Sequence, residues 1–339
     1  MMKDIAERLS QNRFTPHPLL RNAHAQTIIG SLIPRRTPLV DSNTEERVFR
    51  VASNARVLAH ISWQKDARSR PTLVIVHGLE GSSISPYMLG TAEKALRAGF
   101  NCVRLNARNC GGTAHLTETL YHAGLTDDLR AVTDELIERD RVDEIYLVGF
   151  SLGGNVALKL AGEYAGDAPR ALRGVIAVSP SIHLSRCARA MEIRSNALYH
   201  VRFMRALKRS LRTKARLFPD RYDASLLKGI KSIRQFDETY VAPHWGFRDA
   251  EDYYARASAF PLIGRTRVPT LILHAKDDPF IPFSQFEEME ENPSVLLVAT
   301  ERGGHVGFVA RASEDRFWYE TMTAEFIRLT SRCQAQVSL

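Results

Sequence analysis

Apolar and polar positions along this chain fall into two alternating rhythms. Val48 to Ala52 and Arg56 to Trp63 alternate residue by residue, as expected for paired antiparallel strands with one face buried. After Pro71, the unbroken apolar run Thr72-Leu73-Val74-Ile75-Val76 reads as a strand buried on both faces. Helical spacing then predicts a helix over about Tyr87 to Ala98, a strand from Asn101 to Leu105, and a helix over about Leu125 to Arg139. A strand ending at Val148, a helix from Asn155 to Tyr164 and a strand from Gly174 to Val178 follow. The sheet resumes with Pro269 to Ala275, a helix near Phe286, a strand from Ser294 to Ala299 and a last helix over about Ser313 to Leu329. Strands and helices taking turns predict a mostly parallel sheet with helices on both faces, an α/β fold.

Two stretches break the rhythm. Residues 1–44 are rich in Pro, His and Arg and read as an irregular segment wrapped over a domain. Residues 182–260 show helical periodicity and no convincing strand, so they read as a helical cap inserted into a core of residues 45–181 and 261–339.

Composition adds little beyond an ordinary globular class, with 44% hydrophobic and 25% charged residues. No apolar run approaches the roughly 18 residues needed to span a bilayer. Residues 1–12 lack the apolar centre of a signal peptide. Cys102, Cys110, Cys187 and Cys333 have neither metal-ligand spacing nor disulfide density, so structural thiols and a cytoplasmic location are expected. The net charge of +8 is local: between Arg186 and Arg216 ten basic residues face one acid, Glu192. That distribution argues against nucleic-acid binding. Leu198, Val201, Met204, Leu207 and Leu211 recur there at near-helical spacing. The plainer reading is a cap helix packing this stripe over the site, and the other is a basic face touching an anionic membrane.

The chemistry concentrates in Gly149-Phe150-Ser151-Leu152-Gly153, which stands between a strand and a helix. This G-x-S-x-G pattern is that of a nucleophile elbow, a turn so tight that small neighbours must flank the nucleophile. A serine hydroxyl needs a base, and the base needs an orienting acid. Asp277-Asp278-Pro279 follows a later strand, and Asp278, at the tip of the turn, is favoured over Asp277; both could also serve as solvated turn caps. Gly303-Gly304-His305-Val306-Gly307 follows the last strand and supplies the base, His305, whereas His274 lies within a strand and reads as core. The backbone N–H groups of Leu152 and of Leu79, in His77-Gly78-Leu79-Glu80-Gly81, would form the oxyanion hole.

These segments together resemble the α/β-hydrolase superfamily, and within it the YheT-like branch, which includes plant embryogenesis-associated proteins and mammalian abhydrolase-domain lipases. The resemblance extends to Arg21-Asn22-Ala23-His24-Ala25-Gln26-Thr27-Ile28, Asn106-Ala107-Arg108-Asn109-Cys110-Gly111-Gly112, Phe236-Asp237 and Asp252-Tyr253-Tyr254. One departure is Asn109, where the branch more often carries glycine. The resemblance implies an α/β-hydrolase fold with an eight-stranded sheet, and a serine carboxylester hydrolase acting on short- to medium-chain acyl esters or lipids without metal or organic cofactor. An acyltransferase or thioesterase using the same triad, and a non-catalytic binding protein on the same scaffold, are the alternatives.

Overall fold

The computed structural model describes residues 2–311 and 316–331. Its sheet has eight strands: β1 (Glu45–Ala52), β2 (Ala55–Ser62), β3 (Thr72–Val76), β4 (Asn101–Leu105), β5 (Ile145–Phe150), β6 (Leu172–Val178), β7 (Thr270–Ala275) and β8 (Val295–Thr300). They lie in the order β1-β2-β4-β3-β5-β6-β7-β8, with β2 antiparallel to both β1 and β4 and the remaining pairs parallel. Every residue of β3, β4, β5 and β7 is buried. The apolar runs of β3 and β5 have no solvent side to mark with polar residues, hence their unbroken pattern.

Nine helices of eight residues or more are present among the described residues: α1 (Met2–Ser10), α2 (Ala23–Leu32), α3 (Pro86–Arg97), α4 (Thr126–Glu138), α5 (Leu152–Tyr164), α6 (Leu184–Met191), α7 (Ala197–Leu217), α8 (Ala250–Ala257) and α9 (Trp318–Thr330). Two apolar layers sandwich the sheet. Leu129, Val132 and Leu136 of α4 join Val156, Leu158 and Leu160 of α5 in one layer. Met88 and Leu96 of α3, Phe326 and Ile327 of α9, and Ile5 and Leu9 of α1 form the other. The chain passes from β4 to β5 across β3, so its connections switch faces there. In such sheets ligands bind outside the carboxyl ends of the strands at this switch.

The first 44 residues are not irregular. They contain α1, α2 and a short helix, Pro38–Ser42. α2 is anchored by Asn22, whose Oδ1 accepts from His24 N (2.9 Å) and Ala25 N (3.2 Å). The buried positions of α2 are Gln26, Thr27 and Gly30, none of them a large apolar residue, which hid its periodicity. The expected start of the last helix, Ser313, lies outside the described residues, and the helix is observed from Trp318.

Between β6 and β7 the chain is helical. In α7 the buried residues include Met204, Leu207 and Leu211, which pack with Tyr240, Tyr253 and Tyr254. Leu198 and Val201 do not join that stripe; both are exposed. One helix face instead carries Leu198, Val201, Arg205, Arg209, Arg212 and Arg216, all exposed at intervals of three or four residues. Lys214 is buried on the opposite face and donates from Nζ to Ala114 O (2.8 Å) and Thr117 O, tying α7 to the loop after β4. No helix among the described residues is long and apolar enough to cross a membrane.

Candidate active site

The register of the central strands brings the key loops to one edge. Val76 pairs with Gly149, Gly149 with Ala177, and Val178 with Leu273, so β3, β5, β6 and β7 end nearly level. Ser151 follows β5 at φ 52°, ψ −116°, a left-handed conformation that costs on the order of 1–3 kcal/mol for a non-glycine residue. Its N–H donates to Val178 O (2.9 Å) and its carbonyl accepts from Asn155 N (3.1 Å), the first turn of α5. A Cβ on Gly149 would collide with the Gly153 carbonyl, and one on Gly153 with the Val76 and His77 carbonyls. Both elbow glycines are therefore demanded by close backbone contact.

The loop after β3 passes directly beside this turn. A Cβ on Gly78 would lie 3.1 Å from Ser151 Cβ. Gly78 N donates to Tyr87 Oη (3.0 Å), and His77 pins the loop from below. Ala107 N donates to His77 Nε2 (3.1 Å), which leaves Nδ1–H to donate to Gly78 O (2.7 Å). Burial lowers the His77 pKa to about 4, so the ring is neutral, as this bonding requires. Among the described residues, neither Leu79 N–H nor Leu152 N–H donates to a protein acceptor. Two unused donors thus flank the serine.

Asp278 and His305 meet. Asp278 Oδ2 lies 2.8 Å from His305 Nδ1, and its Oδ1 accepts from Phe280 N and Ile281 N, both 3.0 Å. Asp277 accepts from Gly304 N instead (2.9 Å), so it holds the histidine loop and not the ring. His305 packs against Phe280 with ring centres 4.2 Å apart. No hydrogen bond joins Ser151 Oγ to His305 among the described residues. Such contacts commonly tighten only when substrate is bound. His274 is fully buried in β7 and bonds Ile281 O (3.1 Å), and burial lowers its pKa to about 4.

Sequence reasoning assigned no role to the residues that hold the histidine loop. Thr27 Oγ1 accepts from His305 N (2.8 Å) while donating to Ala23 O (2.8 Å). Fully buried Gln26 donates to Leu20 O and Val309 O and accepts from Val309 N. Ser179 Oγ accepts from Val306 N (3.2 Å). The available signal was the polar pair Gln26-Thr27 set among Ala23, Ala25, Ile28 and Ile29. A similar bolt closes the other side. Asn155 donates to Ala123 O and Ala257 O and accepts from Ala259 N, joining α5 to the end of α8.

A cavity opens beside Ser151 and runs under the helices between β6 and β7. Its wall is largely apolar, with Leu152, Met191, Phe203, Leu207 and Phe280 among its residues. Cys102, Cys110 and Cys187 are unpaired, and burial raises all three thiol pKa values, so none is a ready nucleophile. Cys333 lies outside the described residues.

A serine elbow at the switch point of a mostly parallel sheet, with an Asp–His pair on neighbouring loops, defines the scaffold of an α/β hydrolase. Comparison with known proteins agrees. A family model described as alpha/beta hydrolase fold matches residues 71–312. YheT of Escherichia coli (strain K12) is 32% identical over 328 residues, covering 96% of this chain and 95% of that protein. The monoacylglycerol lipase of Saccharomyces cerevisiae (strain ATCC 204508 / S288c) is 32% identical over 272 residues, 77% of this chain and 60% of the lipase. Embryogenesis-associated protein EMB8 of Picea glauca is 28% identical over 342 residues, 95% of this chain and 73% of that one. Among solved structures, the Pyrococcus furiosus esterase Pf2001 superposes with a TM-score of 0.58 at 17% identity, covering 88% and 98% of the two chains, a likeness of fold. The chain belongs to the α/β-hydrolase family.

Proposed function

We propose that this protein hydrolyses carboxylic esters with short- to medium-chain acyl groups through an acyl-serine intermediate. The observation that carries the reading is the 2.8 Å Asp278–His305 pair on loops at the sheet edge where Ser151 is held in its strained turn. With Nδ1–H bonded to Asp278, the second ring nitrogen of His305 is left to act as base. His305 takes the Ser151 proton as Oγ attacks the carbonyl carbon. The Leu79 and Leu152 N–H groups receive the charge that develops on the carbonyl oxygen. The imidazolium, stabilised by Asp278, returns the proton to the departing alkoxide. In the second half a water loses its proton to His305, attacks the acyl carbon and regenerates Ser151. The related lipase and the structurally similar esterase support ester chemistry.

In this reading residues 182–260 form a cap over the cavity and residues 1–44 a segment that wraps the core and braces the histidine loop. The exposed basic face of α7 would meet an anionic membrane surface, and the unpaired thiols suit the cytoplasm. Ser151→Ala should abolish hydrolysis of p-nitrophenyl butyrate and labelling by a fluorophosphonate probe while leaving the circular dichroism spectrum and Tm nearly unchanged. Hydrolysis that survives the substitution refutes the assignment.

A further inference from the structure

The wall of the Ser151 cavity carries polar atoms that the fold leaves unpaired. Asn109 follows β4 at φ 70° and is 8% exposed. It lines the cavity, and both Oδ1 and Nδ2 of its amide are buried without a hydrogen-bond partner. Ser181 Oγ, on the same wall, is also buried and unpaired. Glu80 stands immediately after Leu79 and lines the cavity too. One of its carboxyl oxygens accepts from Tyr121 Oη (3.0 Å), and among the described residues the other has no protein partner. Burial pushes the Glu80 carboxyl up to about 7, so near neutrality it can carry a proton to donate. A buried polar atom left unpaired costs about 1–3 kcal/mol, and native interiors rarely tolerate several together. Such a cluster beside a nucleophile is what a ligand would satisfy.

The chemistry of the missing partner follows from the set. Asn109 Nδ2 and a protonated Glu80 are donors, Asn109 Oδ1 is an acceptor, and the Ser181 hydroxyl can be either. A hydroxyl both donates and accepts. An ammonium would leave the donors unmatched, and a carboxylate would leave the Asn109 oxygen unmatched. The arm of the ester that brings the hydroxyl follows from position. His305 must protonate the departing alkoxide, yet it does not line this cavity, whereas Ser151, Leu79 and Leu152 do. An ester whose carbonyl oxygen faces Leu79 and Leu152 therefore sends its alkoxy group past His305 and its acyl group into the cavity. Glu80 directly follows Leu79, and Ser181 N donates to Ser151 O (3.3 Å), so these groups stand near the carbonyl and not at the far end of the chain.

We propose that Asn109 and Glu80 form a recognition subsite for a hydroxyl borne by the acyl group near the ester carbonyl, so that hydroxyacyl esters are preferred over plain alkanoyl esters. This rests on the proposed ester hydrolysis at Ser151. The test compares kcat/KM for p-nitrophenyl 3-hydroxyhexanoate, both enantiomers, with that for p-nitrophenyl hexanoate. The expected preference is about tenfold for one enantiomer, the size set by one or two neutral hydrogen bonds. Asn109→Gly removes the amide and accepts the positive φ without strain, and it should bring the ratio to about one. A second pair, glyceryl monohexanoate against ethyl hexanoate, places the hydroxyls on the alcohol and should show no preference that Asn109→Gly removes. A wild-type ratio near one with both p-nitrophenyl esters hydrolysed overturns the subsite while leaving ester hydrolysis standing, since the orphan atoms would then hold only water. Discrimination confined to the alcohol pair also overturns it. Absence of hydrolysis with every ester, by contrast, overturns the function on which the subsite rests.

Discussion

Thr27 is 278 residues away from His305 in sequence, yet its hydroxyl is the acceptor for the His305 backbone N–H. Thr27→Val preserves the shape of the side chain and removes that acceptor. The N–H, part-buried beneath α2, is then left without a partner at a cost of about 1–3 kcal/mol, unless the loop moves to find water. For a chain of this size that corresponds to roughly 2–6 °C in Tm, at about 2 °C per kcal/mol. The loop would remain attached, because Gly304 N still bonds Asp277 and Val306 N still bonds Ser179. The imidazole, carried between those two anchors, is free to drift, and a displacement of about 1 Å at a catalytic base can cost on the order of 100-fold in rate. Thr27→Val should therefore lower kcat on p-nitrophenyl butyrate by about 10- to 100-fold. KM should change less than threefold, since the cavity wall is untouched. Thr27→Ser, which keeps the hydroxyl, should recover most of kcat. Steady-state kinetics with a thermal melt of each variant checks this. If Thr27→Val keeps wild-type kcat, α2 has no positioning role and its contact with the loop is packing alone.

Asp237 begins a π-helical turn and is 9% exposed; its only hydrogen-bond donor among the described residues is Tyr254 Oη (2.7 Å), and burial raises its pKa to about 7. A raised folded-state pKa contributes stability that is full below about pH 4 and lost as pH climbs through 7, a loss on the order of 4 kcal/mol here. Asp237→Asn keeps an acceptor for Tyr254 and does not ionise, so its Tm should gain on wild type by roughly 6 °C between pH 4.5 and 8; parallel curves would place the carboxyl in a solvated setting. Reversing Arg205, Arg209 and Arg212 to Glu should reduce binding to vesicles containing phosphatidylglycerol by at least about 100-fold in sedimentation, at about 1 kcal/mol per basic side chain, and high salt should weaken wild-type binding in parallel. Equal sedimentation of both proteins would remove the membrane role of α7.

What was legible in the sequence is what local backbone chemistry dictates. The runs in β3 and β5 are apolar throughout because both faces are covered, and this showed without any partner being known. The elbow showed because its glycines answer to collisions within a few residues and with one adjacent strand. α2 stayed hidden for the opposite reason: Gln26 and Thr27 are buried but polar, and their partners, Val309 and His305, lie at the far end of the chain. α7 was half legible. Its apolar residues include Met204, Leu207 and Leu211 on the packed side and Leu198 and Val201 on the exposed side, and spacing alone cannot separate a stripe that packs from one that continues into water.

Asn109 carries the same lesson into specificity. In sequence it is one residue in a turn where glycine would serve, and turn propensity alone explains an Asn at φ 70°. Only the assembled cavity shows that both ends of its amide are buried without partners, in the same wall as Ser151. The proposed reaction rests on short-range geometry: a strained serine, two free N–H groups and a buried carboxylate on a histidine. The proposed choice of acyl group rests on what that geometry leaves unpaired. A family scaffold can hold the first constant while one residue in the loop after β4 alters the second, because a side chain at position 109 touches the cavity without supporting the elbow, the histidine loop or the sheet.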